Sequence, residues 1–544
     1  MSTVSPPLSP SPQALPVVSI FDSQQQKKVP LIPYDPEHVR MYVCGPTVYN
    51  LFHIGNARPF VVFDVVARHL RARGYRVTLV CNITDVDDKI IVRAQELGED
   101  PSAFAARFTD EYHRDRLALG CLPPDVEPRA TQHIAEMQHQ IQQLMDRDLA
   151  YVVDGDVYYA VNQFAGYGEL SRLPREELLA GARKEVDPRK RDAADFALWK
   201  AAKPGEPSWP SPWGNGRPGW HIECSAMSEK YLGPSFDLHG GGIDLRFPHH
   251  ENERAQAQGV HGPNTFARLW MHNGFVGFRW VHSGQVMAEG SKIAKSDLAM
   301  RPLYHAFVAR TCIDRHGGEA VRLWLLTTIY RNPITFDVDM PPPPSTPTAT
   351  PDKDATVRTP GLEEAERRLE YGYQTIQRLD EALAVGKPAT DGPVWTDAEG
   401  WLDRLLAALD DDFNTPVALS EWQEGLGLAN RVLDGKVTPP LPKDVRRRTL
   451  ERLRADLRKA GAVLGLLEAD PAAYLAAHRC RRVAARGLDQ ARIEALVADR
   501  EAARRSKDFA RADSLRGELL ALAVEVMDTP SGPRWRVQDE VQSR

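Results

Sequence analysis

The chain has 544 residues, 42% of them apolar and 26% charged, with a net charge of −6. That length exceeds a single hydrophobic core and calls for three or four domains. The composition is that of a soluble globular protein, and no apolar run approaches the roughly 20 residues of a membrane span.

Residues 1–17 are rich in Pro and Ser and contain no Lys or Arg. They fit neither a secretory signal nor a transit peptide and read as a disordered tail on a cytoplasmic protein. Met41–Cys44 is a short apolar strand, and a helix opens at His53 with Phe60, Val61, Phe63, Val65, Val66 and Leu70 on its buried side. Arg76–Asn82 is a second, β-branched strand, which completes a βαβ unit. Ala94–Leu119 and Ile134–Leu149 have helical periods, and Tyr151–Val161 alternates like a hairpin turning at Asp154-Gly155-Asp156. Arg183–Trp213 is polar and Pro-rich and reads as an insertion, after which strands resume at Phe236–His239 and Leu269–Phe275. The nucleotide-type fold is therefore split by an inserted block. Met340–Pro360 is a Pro-rich extended linker. Gly361–Leu467 is helical, and Leu488–Trp535 starts with charged helices and ends in a β-prone segment, Ala523–Met527.

Six cysteines in a chain this long do not make a disulfide scaffold. Cys81, Cys121, Cys312 and Cys480 read as small buried hydrophobes. From Leu441 to Arg544 there are 22 Lys and Arg against 16 Asp and Glu, a surplus of six basic groups. Such a region can meet phosphates, or it can be a solvated helical surface.

Cys44, Cys224, His249 and Glu253 each sit in an unusual local sequence: Met-Tyr-Val-Cys-Gly-Pro (41–46), Gly-Trp-His-Ile-Glu-Cys-Ser (219–225) and Phe-Pro-His-His-Glu-Asn-Glu (247–253). Together they could close one zinc sphere of two sulfurs, one nitrogen and one oxygen. His249 and Glu253, four apart, share a face on a helix. The pattern is not the two-histidine helix of zinc peptidases, so a hydrolytic zinc is disfavoured.

His53-Ile-Gly-Asn56 follows a strand and Gly45-Pro46 and opens a helix, which suits phosphate binding or a capping turn. Lys292-Ile-Ala-Lys-Ser296 can close over a triphosphate or remain a solvated loop. His239-Gly-Gly-Gly-Ile-Asp244 is a tight turn or a close approach to a ligand, with Asp244 accepting from a sugar hydroxyl. Asp85, Asp87 and Asp88 suggest Mg²⁺ or, more cheaply, helix capping.

Taken together these motifs resemble the class I aminoacyl-tRNA synthetases, and within them the cysteinyl-tRNA synthetase family. The resemblance covers 18–330 and returns at 405–467 and 491–536. It is carried by Met-Tyr-Val-Cys-Gly-Pro-Thr-Val-Tyr (41–49), Asn-Ile-Thr-Asp-Val-Asp-Asp-Lys-Ile (82–90), Glu-Pro-Ser-Trp-Pro-Ser-Pro-Trp-Gly (206–214), Arg-Pro-Gly-Trp-His-Ile-Glu-Cys-Ser-Ala-Met (217–227), Phe-Pro-His-His-Glu-Asn-Glu (247–253) and Asp-Asp-Asp-Phe-Asn-Thr-Pro (410–416).

The resemblance implies an α/β chain: a Rossmann-type catalytic core in two halves (18–121 and 216–290) around an inserted connective domain (122–215). A lysine-loop and stem-contact region (291–340), the linker (341–360), a helical bundle (361–487) and a small anticodon-binding domain (488–544) follow. It implies zinc on Cys44, Cys224, His249 and Glu253, and ATP with Mg²⁺ on Gly45, Pro46, Thr47, His53, Gly55, Asn56, Asp244, Lys292, Lys295 and Ser296. Of these, His53, Lys292 and Lys295 would be catalytic. Thr84 and Trp220 would wall the cysteine pocket with His239 beside it, and Arg504, Phe509, Asp513 and Asp528 would meet the anticodon. The expected partners are tRNA(Cys), ATP and L-cysteine, with no membrane, for a monomer in the cytoplasm.

The chain departs from the family pattern in three places. Asn56 replaces the usual final His of the first motif, Ile293 and Ala294 replace Met and Ser in the second, and Gly277–Gly290 lengthens the segment before the lysine loop. Two other readings share part of this evidence. A cysteine ligase acting on a small acceptor would not need the region beyond Gly361, and an RNA-binding paralogue would not need the lysines.

Overall fold

The structure, a computed structural model, describes residues 15–174, 187–282, 284–290, 301–340, 357–529 and 532–538. Lys292, Lys295 and Ser296 lie outside the described residues, as do most of the N-terminal tail and residues 341–356 of the expected linker.

A hairpin of β1 (Ser19–Asp22) and β2 (Lys27–Pro30) leads into β3 (His38–Val43), α1 (Ile54–Ala72) and β4 (Arg76–Cys81). β3 and β4 pair in parallel, so this is the βαβ unit read from the sequence. α1 is buried almost all round, with Ile54, Phe60, Val61, Phe63, Val65, Val66 and Leu70 and also Arg58, Asp64, Arg68 and His69 inside, because it packs between the sheet and later helices.

The long helix expected over Ala94–Leu119 is two helices, α2 (Asp88–Leu97) and α3 (Pro101–Ala118). Gly98 ends the first in the left-handed region (φ 67°), and Asp100 caps the second by accepting from the amides of Ser102 and Ala103. α4 (Ile134–Met145) stops short of Leu149, with Asp148 at φ 58° in the turn that follows.

The inserted block forms its own antiparallel sheet of β5 (Ala150–Val153), β6 (Asp156–Tyr159), β7 (Phe196–Ala201) and β8 (Gly216–Pro218). Part of the segment read as polar insertion is therefore core: Leu198 and Trp199 of β7 are fully buried. The strand is only six residues long, five of them apolar, and is flanked by Pro- and Arg-rich sequence.

α5 (Trp220–Leu232), β9 (Ser235–Gly242), α6 (Glu251–His261) and β10 (Phe266–Asn273) return the chain to the first sheet. Its order is β10-β9-β3-β4, every pair parallel. Ligands in such sheets bind beyond the carboxyl ends of the strands, and Cys44, Asn82 and Asn273 all lie there.

A second small sheet joins β11 (Val276–His282) to β12 (Gln285–Gly290), antiparallel, and to β13 (Ile334–Asp339), parallel. Between them come α7 (Arg301–Phe307), α8 (Ala309–His316) and α9 (Gly318–Leu325). Gly277–Gly290 therefore holds most of the central strand β11 and the edge strand β12.

The helical part comprises α10 (Pro360–Ala384), α11 (Trp401–Asp410), α12 (Thr415–Leu433), α13 (Lys443–Leu464) and α14 (Pro471–Ala485). Finally α15 (Gln490–Arg505) and α16 (Phe509–Ala521) pack on the hairpin of β14 (Val524–Thr529) and β15 (Gly532–Val537) around a small apolar cluster of their own. Among the described residues no helix is long and apolar enough to cross a membrane.

Candidate active site and metal centre

Cys44 leaves the end of β3, Cys224 stands on the buried side of α5, and Glu253 lies in the first turn of α6. His249 is delivered by a wide turn, Arg246–His250, that runs directly into α6. The structure brings the four together: each can offer one ligand atom, all within 4.8 Å of one another, and all four residues are buried. Cys44 Sγ lies 3.7 Å from Cys224 Sγ and 3.3 Å from Glu253 Oε1, and His249 Nε2 lies 2.9 Å from the same oxygen.

Four such groups, all fully or almost fully buried, make an electrostatic problem that shows what the site suits. Burial pushes the Cys44 thiol well above its usual range. At Cys224 burial acts the same way, but the hydrogen bond from Cys44 and the neighbouring His249 outweigh it and bring the thiol down to about 6. Burial would likewise raise Glu253, yet His239 and His249 hold its carboxyl well below the usual range. Burial would lower His249; Glu253 and Cys224 reverse that and raise it to about 10. The cluster thus demands positive charge at its centre. Two sulfurs, one imidazole nitrogen and one carboxylate oxygen form a donor set that fits zinc.

The surrounding residues orient these donors. His239 Nε2 lies 2.8 Å from Glu253 Oε2, and its ring stacks on Trp270 at 4.7 Å. Trp220 stacks on His249 with centroids 4.2 Å apart, and His221 Nδ1 meets His249 Nδ1 at 2.9 Å. Thr84 donates to Glu223 at 2.7 Å, and Asn82 Oδ1 accepts the Gly45 amide at 2.9 Å. A side chain at Gly45 would put its Cβ 1.6 Å from the Asn82 carbonyl oxygen, so the turn after β3 admits only glycine.

Next to this centre opens a cleft of about 450 Å³. Cys44, Gly45, Pro46, Thr47, His53, Gly55, Asn56, Trp220 and Asp244 all line it. His53 is the N-cap of α1; its carbonyl accepts the amides of Asn56 and Ala57, and its ring packs on Phe307 at 5.5 Å. Gly55 and Asn56, in the first turn of α1, line the cleft, so the positive end of that helix's dipole borders it. Thr84 and His239 do not line the cleft: Thr84 is buried behind it on Glu223, and His239 sits behind Glu253.

Two of the three glycines after His239 serve packing within the protein. A Cβ on Gly240 would strike Phe63 of α1 at 2.3 Å, and one on Gly241 would meet His250 at 2.9 Å. The three aspartates after β4 are engaged by the protein. Asp85 accepts from Thr131, Asp87 caps α2, and Asp88 pairs with Lys200 and Arg217.

Far from the cleft, Phe509 and Asp513 are exposed on α16, whereas Arg504 and Asp528 pair with each other. Arg500 adds a bidentate contact to Asp528 at 2.9 and 3.1 Å and holds its carboxyl down at about 2. Sequence reasoning missed Asn82, 3.7 Å from Cys224 Sγ, His221, and the pair of His250 and His272, whose Nδ1 and Nε2 meet at 2.8 Å beside His239, as surroundings of the cluster. His221 and His250 are each next to a residue already singled out, and that adjacency was the available signal.

Comparison with known proteins bears on all of this. The family described as tRNA synthetases class I (C) catalytic domain matches residues 30–340, the DALR domain matches 404–468, and the cysteinyl-tRNA ligase anticodon binding domain matches 488–536. A cysteine–tRNA ligase of Anaeromyxobacter sp. (strain K) is 46% identical over 529 residues, covering 96% of this chain and 100% of that one. That of Rhodospirillum rubrum is 43% identical over 522 residues, covering 95% and 99%. Among solved structures, the Mycobacterium tuberculosis methionyl-tRNA synthetase with methionyl-adenylate superposes with a TM-score of 0.54 at 16% identity, covering 79% of this chain and 92% of that one, a likeness of fold. On its sequence, its parallel-sheet core and the whole-length match, the chain belongs to the cysteine–tRNA ligases, a class I synthetase family.

Proposed function

We propose that the chain activates L-cysteine with ATP to cysteinyl-adenylate and transfers the cysteinyl group to the 3′ end of tRNA(Cys). The observation that carries this reading is the single cleft that joins Cys44 and Trp220, beside the metal cluster, to His53, Gly55 and Asn56 at the start of α1.

At the α1 end, the positive end of the helix dipole suits the phosphates of ATP, with Gly55 allowing close approach. At the other end, Cys44, Cys224, His249 and Glu253 would hold one zinc. A zinc there would supply a borderline-soft Lewis acid that favours a thiolate over a hydroxyl, whereas shape alone separates cysteine from serine poorly. Trp220 would wall the amino acid against this centre. The cysteine carboxylate attacks the α-phosphorus and pyrophosphate leaves. A terminal ribose hydroxyl of the tRNA then attacks the carbonyl carbon and AMP leaves. Lys292 and Lys295, with Mg²⁺ carried by ATP, would neutralise charge as pyrophosphate departs.

In this reading 122–215 receives the acceptor end, 291–340 contacts the stem and 361–487 is the connecting bundle. Residues 488–544 bind the anticodon through Arg504, Phe509, Asp513 and Asp528, and the chain works as a cytoplasmic monomer. The test is cysteine-dependent ATP–pyrophosphate exchange together with charging of tRNA(Cys). Exchange without charging would favour a small-molecule acceptor, and neither activity would favour a binding protein.

A further inference from the structure

The described lining of the cleft holds three carboxylates, Glu111, Asp115 and Asp244, and one ammonium, that of Lys89, with no guanidinium. Glu111 and Asp115 are met from α8 by Arg310. The phosphates proposed to enter this cleft are anionic: those of ATP, of the adenylate and of the phosphodiester end of an RNA.

Lys89 is the second residue of α2 and is exposed. Its ammonium stands 5.4 Å from the centre of the Tyr49 ring and 6.0 Å from that of Trp220. Trp220 is stacked on His249, so Lys89 is one ring removed from the metal cluster. Its acidic neighbours are already committed. Asp87 caps α2, and Asp88 is gripped by Lys200 of β7 at 2.6 Å and by Arg217 of β8. These two bonds fasten α2 to the inserted sheet and leave the Lys89 ammonium without an ion pair among the described residues. The two aromatic faces favour a cation there while excluding some water, which strengthens its attraction for an anion.

We propose that Lys89 is a substrate-positioning residue whose ammonium binds an anionic phosphate oxygen in the cysteine half of the cleft. The inference rests on the functional reading above. The oxygen can come from the α-phosphate of the adenylate or from the terminal phosphodiester of the tRNA.

The experiment uses the full-length chain with Lys89→Met, which keeps the aliphatic stem, and Lys89→Arg, which keeps the charge. Cysteine-dependent ATP–pyrophosphate exchange is measured for kcat and for the KM of ATP and cysteine. Single-turnover transfer and the KM for tRNA are measured separately, and zinc content and melting temperature are recorded for each variant. Lys89→Met is expected to lose about 10- to 100-fold in one arm, as for a hydrogen bond to a charged group, with Lys89→Arg recovering most of it and zinc and melting unchanged. Loss in exchange assigns the phosphate to the adenylate; intact exchange with impaired transfer assigns it to the tRNA. Lys89→Met within about twofold of the parent in both arms overturns the proposal. So does a loss that Lys89→Arg shares in full. A parent chain with no cysteine-dependent exchange overturns the functional reading and this inference with it.

Discussion

Glu253 is the residue on which the metal cluster turns, because one carboxylate oxygen faces Cys44 and His249 while the other is held by His239. A ligand that is deleted and a residue that only orients a ligand should therefore behave differently. Purified protein is expected to carry one zinc per chain. Cys224→Ala should abolish that zinc and cost more than about 100-fold in cysteine-dependent exchange, since loss of an orienting residue alone costs 10- to 100-fold. His239→Ala should keep zinc at saturating metal but bind it about 10- to 100-fold more weakly, as read by competition with a chelator. Equal zinc content in Cys224→Ala and the parent would reject this donor set. The clustering of Cys44, Cys224, His249 and Glu253 was legible because Cys, His and Glu in such local sequences have few structural reasons to occur. Lys89 and Asn82 were not: a lysine after two aspartates reads as a helix start, and only the fold shows which groups around it are already paired.

At the scale of elements, the motif Asp410–Pro416 was legible as a signature but not as a structure. It is a knot between the end of α11 and the catalytic half. Asp410 receives His69 and Arg73 from the end of α1, and Asp411 meets Lys28. Asp412 accepts from the Phe21 amide at 2.8 Å and the Tyr330 hydroxyl at 2.7 Å, with the Arg331 guanidinium 3.1 Å away, and Asn414 caps α12. Burial separates these roles. Asp412→Ala strands the buried Tyr330 hydroxyl and the Phe21 amide and is expected to cost about 1–3 kcal/mol in urea denaturation. Asp411→Ala is the control: its side chain is 58% exposed and that of Lys28 is 41% exposed, so it should cost less than about 1 kcal/mol. Similar midpoints for the two variants would show that the knot carries little load.

A second element-scale prediction concerns pH. His478 on α14 is buried and stacks on Tyr474, which in turn stacks on Tyr373 of α10. Burial lowers its pKa to about 4; Glu366 opposes this, and Arg479, Arg481 and Arg482 reinforce it. The unfolded chain therefore takes up a proton below pH about 6.5 that the folded chain refuses. Stability from this group is complete above that pH and falls as pH drops, by up to about 1.4 kcal/mol per pH unit, until the folded pKa near 4 is passed. His478→Gln should flatten this part of the stability–pH curve. An unchanged slope between pH 6 and 4 would place the dependence elsewhere.

On the scale of the whole molecule, the Pro-rich stretch at 340–360 suggests a division that the packing does not respect. Ile54, Phe60 and Val65 of α1, and Leu323 of α9, belong to one apolar cluster with Leu369, Trp401, Trp422 and Leu453 of the bundle. The catalytic half and the bundle thus share a core, and α1, whose first turn faces the cleft, is built into it. Arg322 of α9 ties the same parts together, bonding Asp64 of α1 at 2.5 Å and the Leu464 carbonyl at 2.7 Å, all buried. Pro and Ser content reports how a segment runs, not what packs on either side of it.

The C-terminal block is attached differently. Its apolar cluster, with Ile493, Val497, Leu519 and Val537, borrows Val483 from α14, and its other ties to the bundle include Arg534 with Gln377 and Glu381 and Arg479 over Trp535. Two truncations should therefore part company. A chain ending at Met340 exposes the shared core and is expected to be unfolded or aggregated, with little bound zinc. A chain ending at Gly487 keeps that core and should bind zinc, melt cooperatively and carry out cysteine-dependent exchange within about twofold of the full chain. Its KM for tRNA should rise about tenfold or more, because the lost block supplies contacts to the RNA and none to the cleft. Zinc content and thermal melts come first, then exchange and charging on the same preparations. A Met340 chain that melts cooperatively with zinc bound would show that the shared core is dispensable. A Gly487 chain that charges tRNA as efficiently as the parent would remove the C-terminal block from recognition.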